Sequence, residues 1–565
     1  MFEIEFNLIT MKKIIYGILI SLFFVSSFQA QQQNSKNRTN KDNTIQAPPK
    51  LIVGIVVDQM RYDYLTRFYD KYGDGGFKRM MNEGFNCKNN HFNYVPTYTA
   101  PGHTSVYTGT TPKYHGIIGN NWYDKEINSS VYCAGDDSVE SVGTEHKAGK
   151  MSPHRMKTTT FADENRLFTQ MRGKTIGIAL KDRGAILPAG HTANAAYWFH
   201  GADEGRWISS TFYMAELPKW VQNFNNSNQV ESYFKEWNTL YDISTYTESA
   251  PDENTFEGGF KGKETATFPY DLLALKDQNG GFEILKATPY GNSLTTDFAL
   301  AALDGEALGQ DEFTDVLAIS YSSPDYVGHN FGVSSKEVQD TYLRLDKDLE
   351  RLFKGLDAKV GKGNYTVFLT ADHAAVEVPS YLKSLKIPAG YFDNKAFREK
   401  VYAFMKTTFK ADELIENISN NQIFLNRSKL YEMGLKLEDV QQTIINEIIT
   451  YEHIDKAYSG MSMTQTSFTT GIEELIQNGF NQKRSGDVIY VYDPAVLSYS
   501  LTGSSHGSSF NYDTHVPLLL FGNGIKHGQS LKKTHITDIA PTISAILGIS
   551  FPNAATGQPL EFVLE

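Results

Sequence analysis

Only two cysteines, Cys87 and Cys133, occur in 565 residues. Two thiols cannot build an all-thiolate metal site, so metal chemistry in this chain would fall to carboxylate and imidazole side chains. One disulfide and two buried thiols both stay open, because sequence does not report the geometry a disulfide demands. Positive charge is also short. Lys and Arg number 53 against 65 Asp and Glu, a formal net charge of −12, which argues against nucleic acid and anionic membrane as main partners. There is no long run of like charge and no internal repeat, so charged tails and solenoids are excluded. Nothing in the composition calls for an obligate protein partner. Aromatic residues are plentiful, at 13%, enough for a sizeable core and an aromatic-rich cleft.

One stretch is apolar and uncharged over some length: Ile14 to Phe28, just after Met11-Lys12-Lys13. A positive start followed by an apolar segment of this length reads as an export signal. Translation is expected to start at Met11, with cleavage after Ala30, although Phe28 is bulkier than the usual residue three before a cut. A membrane anchor is the alternative, and the stretch is short for it. No cysteine near the cut offers a lipid attachment point. Residues 31–49, rich in Asn, Gln, Lys and Thr, are expected to be a disordered linker. The chain is therefore expected to be periplasmic or secreted, with a signal at 1–30, a catalytic domain at 50–565 and no stable membrane anchor after cleavage.

Leu51-Ile52-Val53-Gly54-Ile55-Val56-Val57 is apolar and β-branched, as a strand buried on both faces is. Further strands are expected at Thr175–Leu180, Asp315–Tyr321, Tyr365–Thr370, Val488–Tyr492 and Val516–Phe521. Helical spacing runs over Thr295–Leu308, Ser335–Leu356 and Ala540–Leu547. Strands alternating with helices predict an α/β fold with a mostly parallel central sheet and helices on both faces. Two stretches break the alternation, at about 138–282 and 376–484, and are expected as inserted caps over a site.

Asp58, Asp325, Asp372 and His373 fall just after predicted strands, where open α/β sheets bind ligands. His329 stands four residues beyond Asp325, a spacing that shares one face of a helix. His506 lies in a Gly- and Ser-rich loop that lets backbone approach a ligand closely. These are ligand types that zinc takes, and six are too many for one zinc site and suit two. Taken singly, each has a plainer reading as a helix cap, a surface histidine or a flexible loop. Thr99, ahead of Ala100-Pro101-Gly102-His103, would sit at a helix N-terminus, where the dipole favours an anion. Two metals beside a hydroxyl are the equipment for attacking a phosphate ester. Asn120 offers an amide donor, and Lys181 and Arg183 offer cations. Thr97 and His103 are also available and rank lower.

Taken together, Val57-Asp58-Gln59, Pro96 to His103, Gly119-Asn120-Asn121-Trp122, Lys181-Asp182-Arg183, Ser323-Pro324-Asp325 through His329, Ala371-Asp372-His373 and His506-Gly507 resemble the alkaline phosphatase superfamily. They are most similar to its single-threonine, phosphate-irrepressible periplasmic bacterial members. The resemblance covers essentially the whole mature chain. It implies two zinc ions, one held by Asp325, His329 and His506, the other by Asp58, Asp372 and His373. It also implies Thr99 as nucleophile and metal ligand, and Asn120, Lys181 and Arg183 on the non-bridging phosphate oxygens. The expected activity is hydrolysis of small phosphate monoesters through a covalent phosphothreonine.

Two alternatives remain. A nucleotide pyrophosphatase or phosphodiesterase of the same superfamily would share the metals and the threonine, but its diester carries less charge, and Lys181 with Arg183 favour a dianion. An exported binding protein that has lost catalysis is the more remote one. A sulfatase is disfavoured, because no Cys or Ser stands in the usual formylglycine setting.

Overall fold

The computed structural model describes residues 47–565. The expected signal at 1–30 and the expected linker up to residue 46 lie outside the described residues. The central sheet has ten strands. Eight of them are, in chain order, β1 (Leu51–Val57), β2 (Phe85–Cys87), β3 (Ser141–Val142), β4 (Thr175–Ala179), β5 (Ala195–His200), β6 (Arg206–Ser210), β7 (Asp315–Tyr321) and β8 (Tyr365–Thr370). A second sheet follows, with β9 (Ile415–Ser419), β10 (Gln422–Leu425), β11 (Ile454–Ser459) and β12 (Val488–Tyr492). The chain then returns to the central sheet with β13 (Leu518–Gly522) and β14 (Gly528–Ser530).

The order across the central sheet is β14-β2-β13-β8-β1-β7-β4-β5-β6-β3. The run from β8 to β5 is parallel, and antiparallel pairings flank it on both sides. The fold is thus α/β, a large mixed sheet with helices on both faces. All seven residues of β1 are buried, as its unbroken apolar run requires between two helical layers.

Four helices set the site: α1 (Thr99–Thr108), α2 (Asp182–Ala189), α3 (Ser323–Phe331) and α4 (Lys336–Leu356). The long α4 starts where the Ser335 hydroxyl accepts the Val338 amide at 3.1 Å, a serine N-cap. Its Leu345, Leu349, Leu352 and Leu356 are buried, the three-to-four-residue spacing of a core-facing stripe.

Three expectations need amending. First, the stretch 138–282 does not lie wholly outside the sheet, since β3, β5 and β6 extend its edge. Those strands are short and carry Trp198, Trp207 and His200, so β-branched runs do not announce them. Second, Val488–Tyr492 does form a strand, but in the second sheet, antiparallel to both β10 and β11. That sheet has a core of its own, built around Val401, Ile423, Ile444 and Val488, and reaches past residue 484. Third, the strand expected at Val516–Phe521 is divided, with His515–Val516 pairing elsewhere and Leu518–Gly522 forming β13. Pro517 stands at the break and can donate no ladder hydrogen bond.

Both thiols are free and buried. Burial pushes Cys87 and Cys133 each up to about 12, which suits inert core residues.

Helix α1 meets the end of β8 with no space to spare. A Cβ at Gly102 would lie 2.2 Å from the Asp372 carbonyl oxygen, so only glycine fits this approach. Gly102→Ala is expected to cost about 1–3 kcal/mol as an overpacking change, read from denaturant unfolding. An unchanged midpoint would show that the helix and the Asp372 turn can separate freely.

Candidate active site

Asp58 continues β1 by one residue, its amide donating to the Tyr321 carbonyl of β7 at 3.0 Å. The chain then turns at Gln59, whose φ of 64° is left-handed. This turn aims two donors at neighbouring acids. The Gln59 amide reaches Asp372 Oδ1 at 3.1 Å, and its Nε2 reaches Asp325 Oδ1 at 2.7 Å. Asp325 lies in the first turn of α3 and His329 in its last, so the pair shares a helix face, with His329 Nε2 3.1 Å from Asp325 Oδ1. Asp372 and His373 follow β8, both fully buried. His506 comes in on the 503–509 loop.

The six predicted ligands converge. His373 Nε2 lies 3.5 Å from Asp58 Oδ1 and 3.5 Å from Asp372 Oδ2. His506 Nε2 lies 3.6 Å from Asp325 Oδ1. Two clusters result, Asp58–Asp372–His373 and Asp325–His373–His506, each with ligand atoms within 4.8 Å of one another. His373 belongs to both, and its ring stacks on that of His506 with centroids 3.4 Å apart.

The donor set suits a bound cation. Nitrogen or oxygen atoms about 2.0–2.1 Å from one tetrahedral ion stand roughly 3.3–3.4 Å from each other, and the carboxylate–imidazole separations above bracket that value. Asp58 Oδ1, Asp372 Oδ2 and His373 Nε2 are buried with no hydrogen-bond partner among the described residues. Orphaned polar atoms of this kind are costly without a ligand. Each histidine also donates its Nδ1–H to a main-chain carbonyl: His329 to Ser504 at 2.7 Å, His373 to Ala374 at 3.1 Å and His506 to Thr97 at 2.7 Å. That bond fixes the tautomer and leaves Nε2 as the ligating atom.

Charge crowds the site. Burial, then the charges of Asp325 and Asp372, push the Asp58 carboxyl well above the usual carboxylate range. For Asp325, burial pushes upward, but His329 and Lys181 together outweigh it and hold the group well below that range. Asp372 is lowered likewise, burial being outweighed by His373 and His103. Burial drives both His373 and His506 below the ordinary histidine value, the direction that favours the neutral form a metal ligand needs.

Thr99 is the first residue of α1 and is buried. Its hydroxyl has no hydrogen-bond partner among the described residues. His103, one turn on, has Nδ1 2.9 Å from the Thr99 carbonyl and 3.3 Å from Asp372 Oδ2, and Nε2 2.8 Å from Ser320 Oγ. It ties the threonine's turn to a metal-cluster acid. Thr97 holds the 506 loop, its hydroxyl donating to the Ser508 carbonyl at 3.0 Å. Asn120 accepts the Ala100 amide on Oδ1 at 2.8 Å, and its NH₂ has no hydrogen-bond partner among the described residues.

Lys181 and Arg183 part company. Lys181 Nζ sits 2.6 Å from Asp58 Oδ2 and 2.5 Å from Asp325 Oδ2. It bridges two carboxylates rather than reaching into open space, as the pull of two buried anions on one ammonium requires. Arg183 donates to the Tyr132 hydroxyl at 3.2 Å, and its Nε has no partner among the described residues. Gln59 carried no assigned role in the sequence, yet it links two of the three acids. Its adjacency to Asp58 was the one available signal.

The model of the type I phosphodiesterase / nucleotide pyrophosphatase family matches residues 52–513. The chain belongs to this family. It lies within the alkaline phosphatase superfamily. The alkaline phosphatase PafA of Elizabethkingia meningoseptica is 44% identical, covering 99% of this chain and 100% of its own. A Myroides odoratus protein named calcium-transporting ATPase is 45% identical over 92% of this chain and 95% of its own. Among the described residues no helix is long and apolar enough to cross a membrane. The crystal structure of wild-type PafA superposes with a TM-score of 0.88 at 46% identity, covering 92% of this chain and 99% of that one. A PafA variant altered at one threonine, one asparagine, one lysine and one arginine superposes equally well.

Protein loaded with a divalent metal is expected to unfold at higher temperature than chelated protein, by about 2.7 kcal/mol of added stability at a hundred times Kd. Because His373 borders both clusters, His373→Ala should lower the bound-metal content further than His329→Ala does. Equal losses by elemental analysis would mean that His373 serves one cluster only.

Proposed function

We propose that this chain is an exported alkaline phosphatase that hydrolyses small phosphate monoesters at a two-zinc site through a phosphothreonine on Thr99. The observation that carries the reading is the pair of buried carboxylate–imidazole clusters sharing His373 and tied through His103 to the turn bearing Thr99. Asp325, His329 and His506 would hold one zinc, and Asp58, Asp372 and His373 the other, with Thr99 Oγ beside them. When bound, such a metal pair makes a hydroxyl acidic and stabilises a departing oxygen.

The formal charges are consistent. Two zinc ions bring four positive charges, and Asp58, Asp325 and Asp372 with a Thr99 alkoxide cancel them. A monoester dianion then needs further cations. Arg183, with a buried Nε lacking a partner, is suited to a forked contact with two phosphate oxygens. Asn120, fixed by the Ala100 amide, would donate to a third. Lys181 offsets the repulsion between Asp58 and Asp325 by pairing with both, and its third N–H would be left for a phosphate oxygen. Thr99 Oγ forms a bond to phosphorus as the bond to the leaving alcohol breaks. Water then attacks the phosphothreonine, which frees inorganic phosphate and restores the hydroxyl. The helix α1 N-terminus faces the developing negative charge. The PafA variant altered at a threonine, an asparagine, a lysine and an arginine supports the choice of these four residue types.

The rival reading is a phosphodiesterase, in keeping with the family's name. Arg183 and Lys181 favour the more highly charged monoester. An aryl phosphate is therefore expected to turn over faster than its methyl diester, and a large diester preference would reverse the assignment. Arg183→Ala should cost the monoester roughly ten- to a hundredfold, the worth of a charge-assisted hydrogen bond, and the diester less. Thr99→Ala should cut hydrolysis by several orders of magnitude while the zinc content stays the same. Activity undiminished in that variant would remove Thr99 from the chemistry.

A further inference from the structure

A cavity of about 280 Å³ lies beside His506, between the 505–509 loop and the second sheet. Tyr98 lines it from the residue before Thr99, and Tyr490 and Tyr492 of β12 line it from the opposite side. Asn420, in the turn between β9 and β10, also borders it. The Asn420 Nδ2 donates to the Asn121 carbonyl at 2.6 Å, so the hairpin that walls the cavity also rests on the loop carrying Asn120. The cavity thus borders a proposed metal ligand, His506, and one of its walls is tied through Asn420 to the residue after Asn120. Neither Thr99 nor the acids of the clusters line it, so it is room for a part of the substrate other than the phosphoryl group.

Its formal charge is of one sign, Asp493 and Asp513 lining it without a lysine or arginine. Ser509 and Asp513 both line the cavity, and Ser509 Oγ and Asp513 Oδ1 are buried without a hydrogen-bond partner among the described residues. Asp513 is 0% exposed, and its other oxygen accepts the Ser508 amide at 2.7 Å, which anchors the carboxylate. An unpartnered buried carboxylate oxygen calls for a donor from outside the chain. Burial lifts the Asp513 carboxyl to about 7, so it is an anion in alkaline solution. Asp493 places a second carboxylate on the wall, and no lysine or arginine lines the cavity. Three tyrosine rings offer faces that attract a cation.

We propose that this cavity receives the alcohol portion of the phosphate monoester and selects leaving groups that are neutral or cationic and carry a hydrogen-bond donor, against those bearing a second negative charge. The proposal rests on the phosphatase reading above and names the substrate class of that same site. Its wall carries Asp493 and Asp513 and no lysine or arginine, so it repels an anionic leaving group.

The test compares kcat/KM for ethanolamine phosphate and phosphoglycolate, which match in length and differ in charge, with methyl phosphate as a reference that leaves the cavity empty. The two alcohols differ in intrinsic reactivity, so the readout is how their ratio changes on substitution. In mildly alkaline buffer Asp493→Asn is expected to lower the ethanolamine-to-glycolate ratio several-fold, and Asp513→Asn to lower it by about tenfold, a fully buried charge counting for more than a half-exposed one. Methyl phosphate turnover should hold steady in Asp493→Asn. A ratio unmoved by Asp493→Asn, with methyl phosphate still hydrolysed, overturns the proposal even if Asp513→Asn does not fold. Failure of the wild-type protein to hydrolyse methyl phosphate would instead bring down the phosphatase reading, and the proposal with it.

Discussion

Three aspartates of like charge are buried within reach of one another at the ends of adjacent strands, and this repulsion is the constraint from which the rest of the site follows. Carboxylates removed from water must be protonated or must have positive charge among them. Here Asp58 is driven towards protonation while Asp325 and Asp372 are held ionised by imidazoles and by Lys181. Divalent ions would resolve the same conflict more fully, and the unpaired atoms of Asp58, Asp372 and His373 are where they would bind. Gln59 and His103 are the braces that hold the acids in place, Gln59 bonding to Asp372 and Asp325 and His103 standing 3.3 Å from Asp372 Oδ2.

The parallel core of the fold was legible because its strands are buried on both faces. Leu51–Val57, Asp315–Tyr321 and Tyr365–Thr370 are unbroken apolar runs for that reason, and a ligand shelf at their C-terminal ends followed from topology alone. The edge strands were not legible in the same way. Ala195–His200 and Arg206–Ser210 mix aromatic and polar residues, as strands paired antiparallel near a sheet edge can. The strand at Val488–Tyr492 reads identically in either sheet, and only its packing against Ile423 and Val401 decides its allegiance.

The candidate site was legible to the extent that metal-ligand residue types are rare at strand ends. Asp58, Asp372 and His373 each gained meaning from the strand preceding them, and Asp325 with His329 from a helical interval of four. What sequence could not carry is the sharing of ligands across distance. His373 sits between two clusters, and Lys181 spans two carboxylates 267 residues apart, from Asp58 to Asp325. Both depend on how far separate loops lean towards one another, a quantity no local pattern encodes. Gln59 escaped notice because a glutamine is an ordinary turn residue until its neighbours are known.

The three histidines are steered by carbonyl groups of the main chain, at Thr97, Ala374 and Ser504. In many metalloproteins a carboxylate does this work and can be lost by one base change. A carbonyl cannot be mutated away, so here the direction of each imidazole is stored in the course of the backbone. Drift in the surrounding side chains would leave the ligand geometry intact, whereas an insertion or deletion within these short loops would disturb it at once. As far as the aim of these three imidazoles is concerned, a change of neighbouring side chain should therefore matter less than a change of loop length.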